Sequence, residues 1–272
     1  MYIAINKAPT LALGIWVSIL AVSCDEKKSP SSSDESINAR IQQMPPALQE
    51  GLKAHGGLQK WATYGTLNYT VASKNIPEDH LIDLNSRKVL ITTDSTFTMG
   101  FDGQDVWVSP NLAAYPGSSA AFYHNLVFYF FSLPFVVADP GVNYTALADI
   151  TFDGVAYSRI SISFGDNVGE SPDDQYILWF RKSDHLLGMI NYSVTYFDAG
   201  NASKFNAMVY DEWQTVNGLK IPKKWTSYKW ENDSLGDKRG ATLITGVSFQ
   251  EGAPDATLFQ KPETAEIDNK GN

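Results

Sequence analysis

Residues 118–135 read SSAAFYHNLVFYFFSLPF, and ten large apolar side chains (Phe122, Tyr123, Leu126, Val127, Phe128, Tyr129, Phe130, Phe131, Leu133 and Phe135) fall on nearly every side of a helix drawn through them. A helix that is apolar all round has to be covered on several sides. Ser118 or Ser119 supplies an N-terminal cap and Pro134 a stop. The run is too short to span a bilayer, which takes about 20 apolar residues, and His124-Asn125 interrupts it. The rest of the chain must therefore build the enclosure.

That enclosure reads as β. Residues 65–73, 81–88, 89–94, 96–101 and 105–109 before the run are short and rich in strand formers. Residues 150–153, 155–164, 176–182, 187–198, 204–216, 219–230 and 241–249 continue the pattern after it. Phe101-Asp102-Gly103-Gln104 and Asn217-Gly218 are hairpin turns, and in 187–197 the side chains of Ile190, Tyr192, Val194 and Tyr196 alternate onto one face. About a dozen strands joined by hairpins make one extended antiparallel sheet, which curls and leaves a concave face to be filled by side chains, a helix or a ligand. The fold expected is mainly β with some α: a curled antiparallel sheet with an N-terminal helix and the central aromatic helix over its concave face. The N-terminal helix is read from Leu48, Leu52, His55, Leu58 and Trp61 at helical spacing after Pro45-Pro46, broken at Gly56-Gly57 with Gly56 as the C-terminal cap. His55 lies on the apolar stripe and reads as a core or cap histidine rather than a ligand or base.

The first residues belong to no core. Lys7 is followed by the apolar run 11–22, short for a membrane span and suited to a signal peptide. Ala21-Val22-Ser23-Cys24 resembles a bacterial lipobox, which makes Cys24 the lipid attachment site. Cys24 is the only cysteine, so no disulfide within the chain and no second thiol is available. The expected organisation is a signal peptide over 1–23, a polar flexible tether over 24–45, one β domain over 46–261 and a disordered tail over 262–272. Removing Lys7 takes the net charge from −9 to −10, which disfavours nucleic acid and leaves membrane attachment to the acyl chains.

No known catalytic signature stands in the sequence. It has no Gly-x-Ser-x-Gly elbow, no His-Glu-x-x-His and no phosphate-binding glycine loop, and its four histidines (His55, His80, His124 and His185) lack metal-ligand spacing. Asp166, Glu170, Asp173 and Asp174 share one loop, but not in the order of a calcium loop. A solvated acidic loop is the plainer reading. The sequence points to no catalytic residue, no metal and no cofactor. The tryptophans at 61, 107, 179, 213, 225 and 230 suit a ligand cleft and suit a core; for each singly, core is the plainer reading.

The order helix, curled sheet and central aromatic helix is similar to the LolA/LolB lipoprotein-carrier superfamily. More locally, 54–58 with Trp61, Phe101-Asp102-Gly103, 130–135, Asp139-Pro140-Gly141 and 216–222 resemble a family of Bacteroidetes lipoproteins. The first resemblance implies an unclosed barrel that takes acyl chains or hydrophobic partners between sheet and helices; the second brings no activity with it. Asp25 directly after the cysteine resembles the enterobacterial inner-membrane retention signal, whereas Asp25-Glu26 together resemble a surface-export signal of Bacteroidetes lipoproteins. The family resemblance favours the second, which implies an exported protein lipid-anchored in the outer membrane, on its periplasmic or its surface side.

The leading expectation is a membrane-tethered, non-enzymatic protein whose partners are the membrane, through its lipid, and a hydrophobic small molecule or lipoprotein acyl chain. A helix over 119–133 acts as lid, with Phe122, Leu126, Tyr129 and Phe130 as its sheet-facing, ligand-binding stripe. The rivals are an interaction or sensor module with a filled cavity, and a hydrolase built on the acidic loop.

Overall fold

In the computed structural model, residues 32–94, 96–164 and 174–269 are described, and helices α1 Ser32–Gln42, α2 Pro46–Ala54 and α3 Leu58–Trp61 come first. Strands β1 Thr66–Val71, β2 Glu78–Asp83, β3 Val89–Thr92, β4 Thr98–Phe101 and β5 Val106–Ser109 follow. The aromatic run forms α4 Ala120–Tyr123 and α5 Leu126–Phe131. Then come β6 Val142–Phe152, β7 Val155–Phe164, β8 Tyr176–Arg181, β9 Leu187–Tyr192, β10 Asn206–Val216, β11 Leu219–Glu231, β12 Ser234–Gln250 and β13 Glu266–Ile267. The signal peptide, Cys24 and all of the acidic loop but Asp174 lie outside the described residues.

These strands form one antiparallel sheet in the order β13-β5-β4-β3-β2-β1-β12-β11-β10-β9-β8-β7-β6, not closed into a barrel. β5 sits near one end and β6 at the other. The segment joining them, which contains α4 and α5, therefore has to cross the whole sheet. It touches both halves on the way: Tyr123 bonds to Glu78 on β2, and Tyr129 meets Tyr176 on β8. In a flat sheet β2 and β8 would stand about 29 Å apart, six spacings of about 4.8 Å. Tyr123 and Tyr129 are separated by about 9 Å of helix. The sheet must curl round the segment for both contacts to form.

Local sequence explains the joints. α2 begins on Pro46 at its first turn and ends in a glycine cap, with Gly56 at φ +109° and the Gly57 N–H donating to the Leu52 carbonyl at 2.8 Å. Asn217 and Gly218 (φ +50° and +79°) make the expected two-residue hairpin between β10 and β11. Asp153-Gly154 and Asn232-Asp233 do the same for β6–β7 and β11–β12.

Several boundaries differ from expectation, among them β2, read over 81–88 and observed at Glu78–Asp83. α1 lies inside the stretch read as tether; only Ile37 and Ile41 of it pack on the core, too few apolar residues to stand out of a Ser-rich composition. β13 and the buried Asp268 lie in the stretch read as a disordered tail, where two ladder pairs, one carboxylate and the small buried Ala265 hold the chain, too little apolar sequence to stand out. β12 starts at Ser234 because its first half is exposed and polar, which hides the alternation. β6 begins at Val142 for the same reason. β9 stops at Tyr192, and Val194 and Tyr196 belong to a loop pinned by Asp174, which accepts from the Thr195 N–H and hydroxyl at 2.6 and 2.7 Å.

Candidate functional site

The lid is two short helices rather than one over 119–133. The break falls at His124-Asn125, where the His124 ring turns back onto the Ala121 carbonyl (2.6 Å) and Asn125 starts a new turn. α4 is capped twice. Ser119 Oγ accepts from the Phe122 N–H at 3.2 Å, and Asp268 Oδ2 accepts from the Ala120 and Ala121 N–H groups at 2.7 and 3.0 Å. α5 is fixed to the sheet from β10, where the Tyr210 hydroxyl donates to the Phe130 carbonyl at 2.8 Å. Phe131 stacks on Tyr69 and Phe135 on Trp61, with centroids 4.9 and 4.6 Å apart.

This arrangement corrects the stripe. The side chains driven into the core are Phe128, Phe131, Leu133 and Phe135. Of the four expected to face the sheet, only Phe130 is fully buried, and Phe122, Leu126 and Tyr129 are half-buried. With the helix broken between Tyr123 and Leu126, the four do not form a single sheet-facing i, i+4, i+7, i+8 stripe. The four instead line two clefts flanking α5. The larger, about 940 Å³, is lined by the rings of Phe130, Tyr192 and Phe197 and by polar and charged side chains that include Lys204, Asp233 and Arg239. The smaller, about 310 Å³, is walled by Phe128, Tyr129, Val136 and Tyr176, with Arg87, Asp139 and Asp174 among its polar groups. Phe122 and Leu126 line both and form the partition. Phe197 is 57% exposed, packs on Phe122 at 4.9 Å and lines the larger cleft.

Charge in the smaller cleft is balanced. Arg87 Nη2 donates to Asp139 Oδ2 at 2.6 Å, and its guanidinium lies 5.3 Å from the Phe128 ring. Burial pushes the Asp139 carboxyl up, and the neighbouring Arg87 and Arg40 only partly oppose it. Arg87, Asn125 and Tyr129 line this cleft, while Arg87 Nη1, the Asn125 amide oxygen and the Tyr129 hydroxyl are themselves buried with no partner. Burial holds the Tyr129 hydroxyl well above the ordinary tyrosine range, so it is a neutral donor.

No protein-family model and no curated protein matches this chain. Solved structures are similar to it. A LolA superfamily protein from Nitrosomonas europaea aligns at TM-score 0.45 and 10% identity, over 78% of this chain and 97% of that one. A DUF1329 family protein from Desulfovibrio piger aligns at TM-score 0.43 and 11% identity, over 78% of this chain and 95% of its own. A domain described as an outer membrane lipoprotein-sorting protein from Vibrio parahaemolyticus aligns at TM-score 0.40 and 9% identity, over 78% and 97%.

The remaining titratable groups are structural in their surroundings. His55 Nδ1 donates to the Lys220 carbonyl at 2.7 Å and Nε2 accepts from the Leu187 N–H at 3.1 Å, which agrees with the core reading. Glu78 and His80 form a buried chain with Tyr123 and Tyr69 under α4. The Tyr123 hydroxyl donates to Glu78 Oε2 at 2.5 Å, and Tyr69 bonds His80 Nδ1 at 3.2 Å. Burial alone would push the Glu78 carboxyl up, but His80, Tyr123 and Lys74 together hold it below its usual range. Trp61, Trp107, Trp179 and Trp225 are buried core side chains. Among the described residues no three His, Cys, Asp or Glu side chains come together to hold a metal ion, and no helix is long and apolar enough to cross a membrane. Sequence reasoning missed Arg87 and Asn125. Arg87 sits at φ +62° in a polar turn after β2 and Asn125 is a polar interruption of the aromatic run, so neither carries a local signal of facing a cleft.

Proposed function

We propose that this chain is an exported protein, anchored by lipid at Cys24 to the outer membrane, that holds a hydrophobic ligand between its sheet and α5 and performs no catalysis. The ligand is a lipid or the acyl part of a lipoprotein. The carrying observation is that the helical segment does not fill the hollow it crosses: about 940 and 310 Å³ stay open on its two flanks, within the range of small-molecule sites. Phe122, Leu126, Tyr129 and Phe130 are the binding side chains in this reading. A filled cavity, as the interaction-module reading requires, is not what these clefts favour. The carboxylates sharing the smaller cleft are both engaged, Asp139 by Arg87 and Asp174 by Thr195, which gives the hydrolase reading no support.

The test is titration of the delipidated, folded protein with N-phenylnaphthylamine, an uncharged dye that brightens in apolar surroundings. Saturable binding is expected, with Leu126→Asp in the partition weakening it about tenfold or more through the cost of burying a charge. Absence of saturable binding rejects the proposal. The anchor is tested separately by mass spectrometry of the mature amino terminus and by release of Cys24→Ser protein from the membrane fraction. Protease treatment of intact cells reports which face it occupies.

A further inference from the structure

The two ends of the sheet are finished differently. At one stands β13, a strand of two residues and too short to template another chain. At the other stands β6, eleven residues long and paired only with β7 among the described residues. A long bare edge offers a row of unpaired N–H and C=O groups, which proteins guard with charge, proline or a bulge. β6 is guarded over its second half alone. There its register against β7 slips between Leu147 and Ile150, the Arg159 side chain donates to the Ala148 carbonyl at 3.1 Å, and Asp149 pairs with Lys182. Residues 142–147, VNYTAL, keep regular register and carry no charge and no proline. Asn143, Thr145 and Ala146 among them are exposed. We infer that this half of β6 is a homodimer interface, pairing antiparallel with the same strand of a second copy about a two-fold axis at Thr145.

Three features point to a second copy as the occupant. Residues 140–148 hold no charge in a chain of net charge −9, so two copies meet there with the least local repulsion. The strand is also complementary to itself. Opposite residues of an antiparallel pair share a face, so an axis on a residue keeps both concave faces on one side. On Thr145 it sets Tyr144 against Ala146, a large ring beside a small side chain, and Asn143 against Leu147, with no like charges opposed. The Tyr144 hydroxyl already donates to the Val137 carbonyl at 2.7 Å, so that ring is ordered before the copies meet. Finally, the bulge ends the ladder after Leu147 in both copies, which limits slippage of the register. This interface stands apart from the ligand-binding reading and does not depend on it.

Sedimentation velocity of full-length Cys24→Ser protein tests the inference, in a non-ionic detergent that keeps the apolar run 11–22 from associating. A monomer–dimer equilibrium is expected, shifting to dimer as concentration rises. Thr145→Lys sets two like charges face to face and should weaken the dimer about tenfold or more. Thr151→Lys, beyond the bulge, should leave it unchanged. Both positions are exposed, so Tm should stay the same in each variant. In the Cys24→Ser background, which has no other cysteine, oxidation of Thr145→Cys should give a disulfide-linked dimer and oxidation of Thr151→Cys should not. A monomer at every concentration overturns the inference, and so would an edge that pairs only with a different protein. A dimer indifferent to Thr145→Lys, or equal cross-linking at the two positions, overturns it as well.

Discussion

His55 bridges three elements with one ring. It sits at the end of α2, donates to a carbonyl of β11 and accepts from an N–H of β9. Replacing it with Leu keeps the apolar body and leaves two buried backbone groups without partners, so a loss of about 2–4 kcal/mol is expected in urea unfolding. Gly56 beside it is constrained in two ways. Its φ is +109°, and a Cβ there would stand 2.4 Å from the Gly218 carbonyl oxygen. Gly56→Ala should cost about 2 kcal/mol or more, read as a lower urea midpoint with an unchanged m-value. Both roles were legible beforehand, because a glycine after an apolar helical stripe and a histidine upon that stripe have local physical meaning. Arg87 and Asn125 were not. What makes them interesting is a neighbour from another element, and nothing in a turn or a helix break records which neighbour that will be.

At the scale of elements, the carboxyl-terminal strand and the lid are one device. β13 adds to β5 through Glu266↔Val108 and Ile267↔Trp107, and so delivers the buried Asp268 to the amino end of α4. Three donors converge on its Oδ2, the Ala120 and Ala121 N–H groups and the Ser119 hydroxyl. Deleting residues 266–272 should therefore raise amide hydrogen exchange across 119–131 while β8 to β11 keep their protection. Asp268→Ala should reproduce most of that effect at a cost of about 1–3 kcal/mol. Unchanged exchange in α4 and α5 after the deletion would show that the strap does not hold the lid. The helical character of the aromatic run, its apolar surround and its serine cap were readable from composition and spacing. Its break at His124-Asn125 was not, since both residues tolerate a continuing helix and only packing of α4 and α5 against different strands decides between one helix and two.

For the whole molecule, acid sensitivity is set by buried neutral imidazoles. Burial lowers the pKa of His55 and of His124 to about 4, and also lowers that of His80. In each case the unfolded chain, titrating near 6.5, binds a proton that the folded state refuses, so stability is full above that value and is lost as pH falls towards the folded value. Glu78, held below its usual range, acts in the same direction at lower pH. Asp139, pushed up by burial, acts oppositely but is half-exposed and screened. Each buried histidine contributes a slope of up to about 1.4 kcal/mol per pH unit. The urea midpoint is expected to fall steadily from neutral pH to about pH 4.5, and His124→Phe, which removes one titrating ring, should flatten that fall. A midpoint independent of pH over this interval contradicts the assignment.

Local order along the chain determined the fold class, the hairpins at Asn217-Gly218 and elsewhere, the capped N-terminal helix and the need to cover one aromatic segment on several sides. Those follow from periodicity and backbone preference, which act over a few residues and are written in adjacent letters. Tertiary structure alone decided that the aromatic segment crosses the sheet as two helices, that the tail returns to cap them and that Arg87 and Tyr129 line one cleft. These depend on strands far apart in sequence sharing a curvature, and curvature is a property of the closed set of contacts rather than of any segment within it.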